Sequence, residues 1–148
     1  MEILKSNNYL IDTNILVYAV GNDKEISQKS KDLISKLIQE KYKLFLSTQN
    51  ILEYRRVVTH SKFPNPLPEK ELTKSTDFWL SRFKLIYPDN TAWIEYRKLE
   101  KKLKPKGNGV FNIWLASTMI ANGVDTILTL NDKHFRKIKE IKTLNPFI

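Results

Sequence analysis

Four stretches of this chain place an acid or an amide at one end of an apolar run. Tyr9-Leu10-Ile11 is followed by Asp12, Thr13 and Asn14. Lys43 to Leu46 is followed by Ser47 and Thr48, with Glu53 one turn further on. Phe111-Asn112 opens the most apolar helical stretch, and the run after Asp125 ends in Thr129, Asn131 and Asp132. Carboxylates and amides share one chemistry: they are oxygen donors for hard cations such as Mg²⁺ and Mn²⁺, which take one or two carboxylates plus waters. An ion held this way lowers the pKa of a bound water and offsets charge on a phosphate in transfer.

The elements that must position these residues follow from pattern. Strands are expected over Asn8 to Asp12, Lys43 to Ser47, Lys84 to Tyr87 and Asp125 to Leu130, with a last short one near Ile141 to Leu144. Helices are expected from Asn14 to Val20, Ser27 to Gln39, Gln49 to His60 behind a Thr48 cap, Glu69 to Phe83, Thr91 to Leu103 and Val110 to Asn122. A helical turn is expected around Lys133 to Ile138. Ser61 to Pro68 holds three prolines and reads as a loop, as does Lys104 to Gly109. Strands alternate with helices and are apolar on both faces, so the fold class is α/β: a short central parallel sheet with helices on both faces, a three-layer sandwich. In such sheets ligands sit beyond the C-terminal ends of the strands, where the acids and amides fall.

Composition narrows the chemistry. The chain has 148 residues, 41% hydrophobic and 28% charged, which suits one domain across 1-148. It has no cysteine, excluding thiolate metal sites and cysteine nucleophiles, and only His60 and His134, too few for a three-histidine zinc site. No apolar run approaches the roughly 20 residues that span a bilayer, and Asn7 and Asn8 stand where a secretory signal would be apolar. A cytoplasmic protein without a membrane partner is expected. The net charge of +9 favours a polyanionic partner, nucleic acid first.

Taken singly, each residue has a plainer explanation. Asp12 suits a helix cap, Glu53 gains from a helix macrodipole, and Asn131-Asp132 suit a turn. Asn112 lies in line with Leu115, Ala116 and Met119, so it is expected to face inward and need a partner. Trp79, Trp93 and Trp114 read as core residues first, with base stacking as the lesser option. No glycine-rich phosphate loop is present, and no second acid precedes Asp12 as a receiver domain would require.

Together the four stretches resemble the ordered motifs of PIN-domain ribonucleases, in particular the VapC toxins of toxin–antitoxin pairs. Leu10-Ile11-Asp12-Thr13-Asn14 resembles the first motif, Ser47 to Glu53 the second, Val110 to Thr118 the third, and Ile127 to Phe135 the fourth. The resemblance implies a PIN-like fold and an endoribonuclease dependent on Mg²⁺ or Mn²⁺. It implies that Asp12 binds the metal, that Glu53 organises the metal and its water, that Asn112 matches the third position, which contacts the metal, and that Asn131 matches the fourth. His134, where many relatives carry Asp, reads as a surface residue. By the same resemblance the partners are an RNA substrate, a small antitoxin and a second copy of the chain.

Asn112 departs from the pattern, since active members carry Asp there. The amide keeps the shape but lacks the charge, and its NH₂ cannot ligate. Three explanations fit: a naturally weakened or inactive protein, an active one that completes its site with Asp132 or an RNA phosphate, or an introduced substitution that silences a toxic nuclease. An inactive PIN-fold module that binds RNA or protein is therefore the competing reading. Thr13, Asn14, Ser47, Thr129, Arg55 and Arg56 are expected to position substrate. Further phosphate contacts are expected from the lysines of the loop at 101–106 and from the basic tail.

Overall fold

The computed structural model describes residues 7–148. The N-terminal expectation rests partly on residues 1–6, which lie outside them. In chain order the elements are β1 (Asn8–Ile11), α1 (Thr13–Ala19), α2 (Lys24–Gln39), β2 (Lys43–Ser47), α3 (Thr48–Val58), α4 (Glu69–Arg82), β3 (Lys84–Ile86), α5 (Asn90–Leu103), α6 (Gly109–Ala121), β4 (Thr126–Leu128), a 3₁₀ turn (Asp132–His134) and β5 (Lys142–Leu144). The strands form one sheet in the order β3-β2-β1-β4-β5, and every pairing is parallel. The α/β expectation holds.

Alternation along the strands explains the layers. Tyr9 and Ile11 of β1, Leu44 and Leu46 of β2 and Leu128 of β4 point to one side. There they pack with Ile15, Leu16, Leu33, Leu37, Tyr54, Leu72 and Trp79 from α1 to α4. Leu10, Phe45 and Ile127 point to the other, against Tyr96, Leu99, Ile113, Leu115 and Met119 from α5 and α6. Side chains two apart share a face, so the central strands β1, β2 and β4 feed both cores through consecutive apolar residues.

Several boundaries shift from the expected ones, and capping explains most of the starts. Asp23 accepts from the N–H groups of Glu25 (3.1 Å) and Ile26 (3.2 Å), so α2 begins at Lys24 and not at Ser27. Ser27 is buried, and its hydroxyl donates to the Ala19 carbonyl at 3.0 Å, tying α2 to α1. Ser47, not Thr48, caps α3 through a reciprocal bond with Asn50. Asp89 caps α5 by accepting from Ala92 N–H at 3.0 Å, two residues earlier than a Thr91 cap would allow. Gly123 sits at φ +70 just past α6, a conformation that suits glycine as a helix stop. Among the described residues no helix is long and apolar enough to cross a membrane.

Candidate active site

The C-terminal ends of β1, β2 and β4 and the N-terminus of α6 converge on one cleft of ≈ 260 Å³. Asp12, Thr13, Asn14, Glu53, Arg56, Asn112, Asn131 and His134 line it. β1 lies between β2 and β4 in the sheet, so a residue leaving β1 stands between those leaving its neighbours. Three segments far apart in sequence meet there for that reason.

Asp12 is the cap of α1 and also part of the cleft wall. Its Oδ1 accepts from Thr13 N–H at 2.8 Å, and its Oδ2 accepts from the Thr129 hydroxyl at 2.7 Å. It is only 8% exposed. Burial pushes its carboxyl up to about 6, against the two hydrogen bonds, and the Glu53 charge adds to the rise. The plain capping explanation and the functional one therefore describe one residue.

Glu53 is half-buried one turn into α3. Its Oε2 accepts from the Thr13 hydroxyl at 3.0 Å and its Oε1 from Gln49 Nε2 at 3.0 Å. The two carboxylates are served alike. Asn50 Nδ2 donates to Thr13 Oγ1 (3.0 Å), and Asn14 Nδ2 to Thr129 Oγ1 (3.4 Å). An amide nitrogen can only donate and a hydroxyl has one proton. Each threonine proton is thus aimed at its carboxylate, Thr13 at Glu53 and Thr129 at Asp12. Neither Gln49 nor Asn50 stood out in the sequence beyond their place in the second motif. The Ser-x-x-Asn spacing of a capping box was the available signal for Asn50.

The remaining expected residues divide. Asn112 is half-buried on the face that continues as Leu115, Ala116 and Met119, and it reaches the cleft. It makes no side-chain hydrogen bond within the described residues, so the expected inward partner is missing. Its partial exposure is the reason that costs little. Asn131 lines the cleft, but Asp132 does not. The 3₁₀ turn swings Asp132 into a bond with Asn145 Nδ2 (3.2 Å) and a contact with Arg136. Those two partners hold its carboxyl below the usual carboxylate range, Asn145 contributing most. Ser47 and Thr129 are buried and act as cap and clamp.

Arg56 faces the cleft, whereas Arg55 forms a bidentate pair with Glu69 (2.9 and 3.1 Å) outside it. His134 is exposed as expected, yet it also lines the cleft near Asp12. Trp79 is core and Trp114 half-buried. Trp93 corrects the core expectation: it is 52% exposed, stacked on Tyr96 at 5.6 Å, with Trp114 only at its edge.

The donor set suits a hard divalent ion. It offers two carboxylates and amide oxygens in a water-accessible cleft, and one of the acids is held in a charge state that burial and its neighbour disfavour. Among the described residues no three His, Cys, Asp or Glu side chains are placed to hold a metal ion by themselves, so an ion in this cleft would need amide oxygens and waters besides the two carboxylates.

Residues 9–141 match the PIN domain family model. The chain is 29% identical to the ribonuclease VapC48 of Mycobacterium tuberculosis, over 92% of this chain and 95% of that protein. It is also 29% identical to the ribonuclease VapC2 of Rickettsia felis, over 90% and 93%. Among solved structures it resembles VapBC2 from Rickettsia felis bound to a DNA fragment from their promoter, with TM-score 0.71, 25% identity, and coverage of 93% of this chain and 97% of that one. VapBC-1 from nontypeable Haemophilus influenzae shares the fold at TM-score 0.70 and 19% identity, covering 93% and 96%. The family match spans nearly the whole chain and contains all four motifs, and on that ground this chain belongs to the PIN domain family.

Proposed function

We propose that the chain, folded as one domain, is a divalent-metal-dependent endoribonuclease, the toxin of a VapBC-like pair, working in the cytoplasm. The observation that carries this reading is the convergence of Asp12, Glu53, Asn112 and Asn131 in one cleft, in a chain whose relatives are named VapC ribonucleases. Asp12, Glu53 and the Asn112 amide oxygen would hold Mg²⁺ or Mn²⁺. When bound, the ion would activate a water and offset charge on the scissile phosphate. Thr129 and Thr13 N–H keep Asp12 in place, and Thr13 keeps Glu53 facing the same space. Arg56 and Asn14 stand at the wall where an RNA backbone would lie. By resemblance to the VapBC complexes, the partners are an antitoxin and a second copy of the chain.

Asn112 leaves this site with one unit less negative charge than Asp would give it. At an effective dielectric of about 20, a charge at ligand distance is worth several kcal/mol, so metal affinity and rate fall together. That observation also favours a second reading, a PIN-fold module that holds RNA or protein without cutting it. One experiment separates the two: RNA cleavage in Mn²⁺ and Mg²⁺ by this sequence, by Asn112→Asp, and by Asn112→Asp with Asp12→Ala. The nuclease reading expects Asn112→Asp to cleave and the added Asp12→Ala to silence it. Absence of cleavage by all three across a total RNA pool and a tRNA pool would leave the binding module.

A further inference from the structure

Beside the acidic cleft, and sharing Glu53, Arg56 and Asn112 with it, runs a wider groove of ≈ 800 Å³ between α3 and α6. Gln49 lies in its wall. Its Nε2 donates to Glu53 Oε1 at 3.0 Å and to the Phe111 carbonyl at 3.1 Å, 62 residues away. Its Oε1 is buried and has no hydrogen-bond partner among the described residues. Exchanging the amide's oxygen and nitrogen would set an oxygen against a carboxylate and a carbonyl, both acceptors, so this orientation is forced.

An amide and an acid four apart on a helix are ordinary by themselves. Gln28 and Asp32 form such a pair at 2.8 Å on the surface of α2. Gln49 differs in its second acceptor and in the buried oxygen it leaves unpaired, an arrangement folded proteins rarely retain without a reason. It is also the single protein donor to Glu53 Oε1 among the described residues, since Thr13 serves only Oε2. The Phe111 carbonyl belongs to the residue before Asn112, so one NH₂ group fixes Glu53 against the backbone that carries the third motif.

We infer that Gln49 is a positioning residue: its amide clips Glu53 to the first turn of α6 and so sets where the Glu53 carboxylate stands relative to Asn112. This rests on reading the cleft as a nuclease site, but the geometry it claims does not depend on cleavage. Gln49→Met keeps the length, removes the donor and removes the orphaned oxygen. A residue serving stability alone would lower the melting temperature when replaced; a positioning residue would not.

The test compares Gln49→Met and Gln28→Met, each in this sequence and with Asn112→Asp. Three quantities are read: melting temperature in EDTA, ¹³C relaxation of the Glu53 carboxyl, and RNA cleavage in Mn²⁺. For Gln49→Met we expect an unchanged or higher melting temperature and a mobile Glu53 carboxyl. In whichever background cleaves, kcat falls about 10- to 100-fold with KM held within about twofold. Gln28→Met leaves both Glu53 and cleavage as they were. A Glu53 carboxyl as ordered in Gln49→Met as in the parent overturns the inference, as does a lowered melting temperature with kcat unchanged. If no form cleaves RNA, the nuclease reading fails, and the Glu53 relaxation alone decides the role of Gln49.

Discussion

The two acids of the cleft sit in cradles of the same design and different stiffness. Around Asp12, one donor is a backbone N–H and the other is a threonine hydroxyl that is 0% exposed. Around Glu53, both donors are side chains, Thr13 and the half-buried Gln49. Asp12 is fixed by the start of a helix, so its position follows from the fold. Glu53 is at the end of a longer side chain and stays in place only through groups that substitution can remove. The rigid cradle is the electrostatically costly one: burial, with Glu53 nearby, pushes Asp12 up to about 6.

The strongest way to break this comparison is to remove the buried acid. On the proposed function, Asp12→Ala in the most active form lowers the cleavage rate on the order of 10³-fold, because a full charge at ligand distance is worth several kcal/mol. Glu53→Gln keeps the length and one acceptor oxygen, sets its NH₂ against one of the two donors, and costs less. Single-turnover cleavage in Mn²⁺ ranks them, and equal losses would erase the distinction between the cradles.

Stability in EDTA tests the same asymmetry without RNA. The carboxyl of Asp12 rises from 3.8 in the unfolded chain to about 6 in the fold. Between those values the folded state binds more protons than the unfolded one, so its stability falls as pH rises through that window. The loss is complete above about pH 6 and amounts to about 3 kcal/mol. Asp12→Asn has no such titration, so its stability relative to the parent is expected to rise between pH 4.5 and 7.5 by most of that amount. Urea unfolding at pH 4.5 and 7.5, read as the difference between the two proteins, cancels acids that shift the other way, such as Asp132 and Glu140. A difference independent of pH would mean that Asp12 is not under this stress.

Asn112→Asp moves the balance in the opposite direction. It adds a third carboxylate to the cleft, so it is expected to raise Mn²⁺ affinity and cleavage by roughly 100-fold and to lower stability in EDTA by about 1 kcal/mol. Calorimetric Mn²⁺ titration and melting in EDTA check the two halves. A gain in both affinity and apo stability would contradict a site short of positive charge.

Much of this was legible in the sequence, for identifiable reasons. Strands with apolar residues on both faces predicted burial on both sides, and Tyr9 and Ile11 against Leu10 show why. Acids and amides placed just after strands had to share the sheet edge once the pairings were parallel. What stayed hidden depended on single steps of backbone direction. Asn131 and Asp132 are neighbours, yet the 3₁₀ turn gives one to the cleft and the other to Asn145 and Arg136. Trp93 has the helical spacing of a core residue but stands in the first turn of α5, where its ring is left half open. Gln49 carried no signal because its meaning lies in a carbonyl 62 residues away.

Arg55 and Arg56 give the smallest and cleanest contrast, because composition cannot tell them apart. They are consecutive on α3, about 100° apart around the helix. Arg56 therefore reaches the Glu53 side of the cleft, while Arg55 is held by Glu69. Asp12 has no arginine or lysine among the residues that line the cleft with it except Arg56. If Arg56 meets a phosphate of the RNA backbone, Arg56→Ala weakens binding uniformly across sequences and reduces the salt slope by about 1. Arg55→Ala leaves that slope unchanged, and an exposed pair with Glu69 costs at most about 1 kcal/mol of stability. RNA binding measured across a salt series for both variants separates the two arginines. Equal slopes would move the electrostatic footprint away from this wall, toward the lysines of the tail.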